Sequence, residues 1–105
     1  MKIIAILSES IDEEISDSEK YAKKALEHKN DYPETAKVFY TLSLEEMEHM
    51  NKLHGAIVFL IKKYREEKGE PPKEMLAVYE YLHKKQIDRV AEVKMLQSMF
   101  QLETN

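Results

Sequence analysis

Two short chain-breaking segments divide the sequence into three parts, and they constrain the fold more than any other feature. They span residues 30–33 (Asn-Asp-Tyr-Pro) and 69–72 (Gly-Glu-Pro-Pro). Proline favours the first turn of a helix, and glycine favours the position just after a helix. The sequence therefore predicts an all-α fold of three long antiparallel helices, at about residues 3–29, 34–68 and 73–102.

The composition agrees with long helices and excludes several kinds of site. The 105 residues include only two glycines and three prolines, and this length predicts a single helical domain over residues 1–105. The net charge of −4, with no basic cluster, argues against nucleic acid as a partner. The absence of cysteine excludes disulfides, iron–sulfur clusters and thiolate zinc sites.

The apolar start of the chain, residues 1–7, is too short for a signal peptide and is followed by an acidic stretch at residues 9–14. No segment approaches the ~20 apolar residues of a membrane-spanning helix. We therefore expect no membrane partner. The expected location is the cytoplasm, or the interior of a larger assembly.

Glu46 and His49 lie in the middle of the most hydrophobic helix that this chain can form. Their Glu-x-x-His spacing places both side chains on one helix face, about one turn apart. The apolar residues on that face are Phe39, Leu42, Met50, Leu53, Ile57, Leu60, Ile61 and Tyr64. A carboxylate in such a stripe is costly unless it is compensated. A bound metal ion would compensate it, and so would a hydrogen bond to its own histidine or to a lysine.

The second predicted helix is apolar on nearly every side between Ala56 and Ile61. A helix of this kind must be covered on every side, and three helices of one chain do not easily do that. We therefore expect a homodimer or a higher oligomer.

Glu14 lies in the apolar stripe of the first helix, with Ile3, Leu7, Ile11, Ser18, Tyr21 and Ala25. If the first turn is centred near Asp31, Glu14 and Glu46 stand within ~3 Å of one level in antiparallel helices. Two carboxylates at one level repel each other and raise a pKa. Divalent cations would remove this repulsion, so the shared level favours a metal site.

A second Glu-x-x-His motif, Glu80 to His83, occurs in the third helix. Folding this helix back about Gly69 places His83 beside His54 or Gly55, away from Glu46, where His54 and His83 would form a polar core pair or a second, weak metal site. The motif would join the first only if the helix splays, swaps or approaches from another subunit. The candidate metal ligands are Glu14, Glu46, His49, Glu80 and His83.

A helical glutamate followed by Glu-x-x-His on the antiparallel partner resembles half of a di-iron site of the ferritin-like superfamily, of the rubrerythrin or encapsulated-ferritin type. The resemblance covers roughly residues 10–68. It implies a four-helix bundle completed by dimerisation, in which two copies of Glu14, Glu46 and His49 bind two iron ions, with manganese or zinc also possible. It also implies a ferroxidase or a rubrerythrin-like peroxidase, with an enclosing shell or assembly as a candidate partner. The long third helix, with Glu80 and His83, departs from that pattern.

Two other functions fit the same residues. One is a non-catalytic helical dimerisation or interaction module, in which Glu46 and His49 form a buried polar contact. The other is a structural dimer held by a metal that does not turn over. Metal content separates the interaction module from the two metal-binding functions. Oxygen-dependent Fe(II) oxidation separates the ferroxidase from the structural dimer.

Overall fold

The computed structural model describes residues 1–104, with side chains through residue 102, and contains three α-helices. They are α1 (Lys2–His28), α2 (Pro33–Lys68) and α3 (Lys73–Thr104). No strand occurs within residues 1–104, so the all-α prediction is confirmed. Across the same residues, no helix combines the length and apolar character needed to cross a membrane.

Both chain-breaking segments act as their residue types predict. Pro33 is the first residue of α2, where its missing N–H costs nothing. Gly69 ends α2 with φ of 86°, a left-handed conformation that glycine adopts without strain. Its N–H donates to the Arg65 carbonyl oxygen at 3.1 Å. Helix α3 then begins at Lys73, directly after Pro71 and Pro72.

Helix α1 is the central element of an elongated molecule measuring 56 × 20 × 18 Å. It packs along α2 in the antiparallel sense and along α3 in the parallel sense, whereas α2 and α3 touch each other little. The three helices therefore run up, down and up, with α1 between the other two.

Small residues let α1 and α2 approach closely. Ser18 and Ser43 are both fully buried, and each hydroxyl donates to the backbone carbonyl oxygen of the other serine at 2.7 Å. Ala22, Ala25 and Ala36 are also buried along this contact. The reciprocal hydrogen bonds fix how far one helix is shifted along the other.

Helix α3 is attached to this pair through two buried glutamines. The Gln97 amide donates to the Ser43 hydroxyl at 2.9 Å, and the Gln86 amide donates to the Ser8 carbonyl oxygen at 3.2 Å. Apolar packing completes the contact in two clusters, one of Ile4, Ile11, Ile15, Met47, Ile57 and Val93, the other of Ala25, Ala36 and Phe100. The core therefore lies on the side of the α1–α2 pair that bears Ser8, Ser18 and Ser43.

The buried faces of α1 and α2 are rotated from the faces that the apolar pattern predicts. Ile3, predicted to be in the core, is 47% exposed, whereas Ile4 is 7% exposed. On α2 the buried residues are Ala36, Ser43, Met47 and Ile57, so Glu46 lies at the edge of the buried face and not at its centre. The rotation arises because α3 covers the serine side of the pair.

The other side of the α1–α2 pair is only half-buried, and we call it the open face. It carries Leu7, Glu14, Tyr21, Phe39, Leu42, Glu46, Leu53 and Leu60, all of intermediate exposure. Val58 and Phe59, elsewhere on α2, are 52% and 62% exposed. The apolar character of α2 is thus not fully covered within one chain, and association with a second chain stays a prediction.

We expect Ser43→Leu to destabilise the protein because its larger side chain would collide with Ser18 and displace Gln97. Overpacking of this kind typically costs about 1–3 kcal/mol. Thr41→Leu is the matched control, since Thr41 is exposed on the same helix and should change stability by less than about 0.5 kcal/mol. Urea unfolding followed by circular dichroism measures both. Equal stabilities for the two variants would contradict the close contact at Ser43.

Candidate metal site

Glu14, Glu46 and His49 converge on the open face. One ligand atom from each residue lies within 4.8 Å of the others. His49 Nδ1 is 3.4 Å from Glu14 Oε2 and 3.6 Å from Glu46 Oε2. Two carboxylates and one imidazole therefore surround a single point at the seam between α1 and α2.

The helices bring these side chains together for simple geometric reasons. Glu46 and His49 are three residues apart on α2 and lie on one helix face. Glu14 comes from α1 at the same level, four residues before the Ser18–Ser43 contact that fixes the helix register. The expectation that Glu14 and Glu46 face each other is confirmed.

Within the described part of one chain, the triad leaves one buried carboxylate oxygen without a hydrogen bond. Glu14 Oε2 is buried and accepts no hydrogen bond from any group in residues 1–104. A buried acceptor without a donor typically costs about 1–3 kcal/mol, and more when it is charged. The site therefore has an oxygen ligand ready for a cation.

The pKa of Glu46 is raised from its ordinary value of 4.5 to about 7. The largest cause is a hydrogen bond with the Glu14 carboxyl group, which requires a proton on one of the two acids. Desolvation and the negative charges of Glu14 and Asp17 raise the pKa further, while His49 lowers it. Glu46 is therefore protonated for part of the time at neutral pH.

The triad is accessible from one side. The side chains of Glu14 and Glu46 are 25% and 19% exposed, whereas that of His49 is 53% exposed. Carboxylate oxygen and imidazole nitrogen are suitable ligands for iron, manganese and zinc. If an ion were bound, these three residues would hold it and other coordination positions would remain for further ligands.

Glu80 and His83, the other two predicted ligands, are not brought to the triad. Glu80 is exposed and lines a separate cavity of about 260 Å³ between α2 and α3. His83 stacks on His54, with ring centroids 4.7 Å apart, as the level argument predicted. Helix α3 follows α1 without splaying, which keeps this motif away from Glu46 in one chain.

The His54–His83 contact extends into a stack of three rings, since Tyr79 lies against His83 with a centroid distance of 5.6 Å. Burial, and secondarily the facing His83, lower the pKa of His54. Burial also raises the pKa of Tyr79. Both effects favour the neutral forms of these side chains.

Asp17 is a contributor that the sequence reasoning did not single out. It lies three residues after Glu14, is exposed, and adds negative potential at Glu46. Its i, i+3 spacing from Glu14 places both side chains on one face of α1, and this spacing could have identified Asp17 from the sequence.

Comparison with known proteins does not extend this description. No protein-family model, curated protein or solved structure matches the chain. The chemistry of the site must therefore be argued from its own residues.

We expect Glu46→Gln to stabilise the metal-free protein increasingly as the pH rises from 5 to 8. The pKa of Glu46 is higher in the folded state than in the unfolded state, so the folded wild type loses stability as the pH rises from 4.5 through 7. A neutral amide avoids this loss, with a gain of roughly 1–2 kcal/mol at pH 8 after allowance for solvent screening.

Thermal or urea unfolding in the presence of a chelator measures this difference at each pH. Glu48→Gln is the control because Glu48 is an exposed glutamate on the same helix, one residue before His49. A difference between Glu46→Gln and wild type that stays constant from pH 5 to 8 would contradict the coupling of Glu46 to Glu14.

Proposed function

We propose that the protein is an iron-binding, ferritin-like ferroxidase whose di-metal carboxylate site forms where two copies of the chain meet. The observation that carries this proposal is the convergence of Glu14, Glu46 and His49 around a buried carboxylate oxygen of Glu14 that accepts no hydrogen bond from the described residues. The resemblance of the Glu plus Glu-x-x-His pattern to a ferritin-like half-site supports the same function.

The charge of the triad supports a dinuclear site in a dimer. One triad supplies two carboxylates and one imidazole, too few ligands to enclose two metal ions. Two triads related by a two-fold axis supply four carboxylates and two imidazoles, the set used by di-iron carboxylate bundles. Four negative charges would balance two divalent cations, and the cations would remove the repulsion between the carboxylates.

The open face supports the position of this dimer contact. Leu42 lies one turn before Glu46, and Leu53 lies one turn after His49, and both are half-buried in the single chain. An apolar border around a polar centre is typical of the interface between two copies of a chain. Pairing two open faces would add the fourth-helix packing that one chain lacks.

Bound iron would supply the redox chemistry, since two Fe(II) ions taken up as substrate can each transfer one electron to O₂, giving hydrogen peroxide after two protons are added. The carboxylates of Glu14 and Glu46 would hold the ions, and His49 would complete each end of the site. Glu46, whose pKa is near 7, would release its proton when a cation binds.

A non-catalytic interaction module is the second candidate, favoured by a different observation. Val58 and Phe59 are exposed apolar side chains outside the open face, and such residues on a long helix can contact another protein. In that case the triad would be a polar contact without metal. A metal-bound structural dimer without turnover is the intermediate case.

We expect protein loaded anaerobically with Fe(II) and then gel-filtered to retain about one iron per chain in an even-numbered oligomer. Glu46→Ala should abolish this stoichiometric binding, because one of two carboxylates per half-site is lost. Glu48→Ala, which removes a neighbouring exposed carboxylate, should leave it unchanged. Elemental analysis of the gel-filtered peak gives the result.

Exposure of the iron-loaded protein to O₂ then separates the catalytic function from the structural one. Fe(II) oxidation that is faster than in buffer, and that Glu46→Ala removes, supports a ferroxidase. Stoichiometric iron without accelerated oxidation indicates a structural metal site. A folded protein that retains no iron contradicts both, and leaves the interaction module.

We expect Leu42→Lys to shift the protein from oligomer to monomer, because it places a charge in the proposed dimer contact. Met95→Lys is the matched control, since Met95 is an exposed apolar residue on α3 at 65% exposure, away from the open face. Analytical ultracentrifugation with and without Fe(II) measures the masses, and circular dichroism checks the fold. If Met95→Lys dissociates the oligomer and Leu42→Lys does not, the dimer contact lies on α3 and not on the open face.

A further inference from the structure

A second cluster of metal-ligating side chains lies outside the triad, where α2 and α3 come together. His54 on α2 and His83 on α3 face each other with ring centroids 4.7 Å apart and planes 12° apart. Both residues are partly buried. Two imidazoles from different helices are therefore held at one level.

The ring nitrogens of this pair are unused by the rest of the fold. Within residues 1–104, no hydrogen bond or ion pair is made to either ring, in contrast to His28, whose Nδ1 contacts Asp31 at 3.3 Å. The two rings line a groove of about 340 Å³ that also includes Asn51 and Gln86, so an ion and its water ligands have room to enter.

We propose that His54 and His83 form a binding site for an imidazole-preferring divalent ion such as Zn²⁺, which joins α2 to α3. Imidazole nitrogen is a preferred ligand of zinc, copper and nickel. A nitrogen from each ring would bind the ion at about 2.0–2.1 Å, with the remaining tetrahedral positions filled by water. The stacked rings do not point their nitrogens at one ion. Binding would therefore require the His54 ring to turn about its last side-chain bond while His83 keeps its orientation.

Tyr79 positions one of these ligands. Its ring lies parallel to that of His83, with a 12° angle between the planes, so His83 is held between Tyr79 and His54. A ligand that is oriented before binding loses less side-chain freedom when the ion arrives. Tyr79 therefore acts through His83 and is not itself a ligand.

The position of the site gives the ion a structural consequence. Helices α2 and α3 contact each other little and are both held mainly by α1. An ion bound by one side chain from each would connect them directly, across the groove. Because such an ion binds the folded chain in preference to the unfolded one, it would also stabilise the fold.

We would test this site in untagged protein carrying Glu46→Ala and His49→Ala, so that the triad contributes no binding. Isothermal titration with Zn²⁺ should show one ion per chain in this parent protein. Loss of an outer-shell partner typically lowers metal affinity about 10-fold or more, and replacing a direct ligand by His83→Gln should lower it at least as much. His28→Gln is the control, because His28 is a histidine outside the groove.

Two further measurements guard against misfolded variants and against zinc bound elsewhere. Zn²⁺ should shift the imidazole NMR signals of His54 and His83 in the otherwise unmodified chain, and it should slow amide hydrogen exchange in α3 around His83. Tyr79→Leu should weaken zinc binding less than His83→Gln does. The proposal is overturned if the parent binds no zinc, or if His83→Gln, still folded, binds zinc as tightly as the parent.

Discussion

The close contact of α1 and α2 at Ser18 and Ser43 is the interaction on which the rest of the structure depends. Each hydroxyl donates to the other serine's backbone carbonyl oxygen at 2.7 Å, and a larger residue at either position would separate the helices. The contact fixes the helix register, and the register places Glu14 opposite Glu46. It also offers Gln97 an acceptor, which anchors α3 to the same point. One pair of small polar residues therefore links the packing of all three helices to the geometry of the triad.

The triad itself works against the stability of the metal-free chain. Two carboxyl groups lie close enough to raise the pKa of Glu46 to about 7, and one oxygen of Glu14 is buried without accepting a hydrogen bond from residues 1–104. The surrounding core shows the opposite behaviour, since its buried serines and glutamines are hydrogen-bonded. A local conflict in an otherwise consistent helical fold is typical of a functional site. A cation would relieve it, because both carboxylates could then be ionised without repulsion.

The sequence predicts positions along the helices better than rotations about them. Helix rise is constant and the turns are short, so counting residues from Asp31 correctly placed Glu14 opposite Glu46, and counting from Gly69 placed His83 beside His54. Rotation depends on which side a third helix covers. The apolar pattern predicted that Ile3 and Glu46 lie in the buried faces. In the folded chain, Ile4 and the small residues Ser18 and Ser43 are buried at the helix contacts. Ile3 and Ile4 have the same side chain, so the side of the pair that α3 covers, and not hydrophobicity, determined this difference. Pairing with a second chain adds contacts that the sequence of one chain does not specify.

The two proposed metal sites differ in charge, and this difference gives them different metal preferences. The triad presents two carboxylates, so it favours hard divalent ions and balances their charge. The His54–His83 pair presents neutral nitrogens only, and is suited to zinc, copper or nickel. The first site lies on the open face between α1 and α2, whereas the second lies between α2 and α3. Because α2 carries ligands of both, through Glu46, His49 and His54, an ion at one site would restrict the same helix that shapes the other.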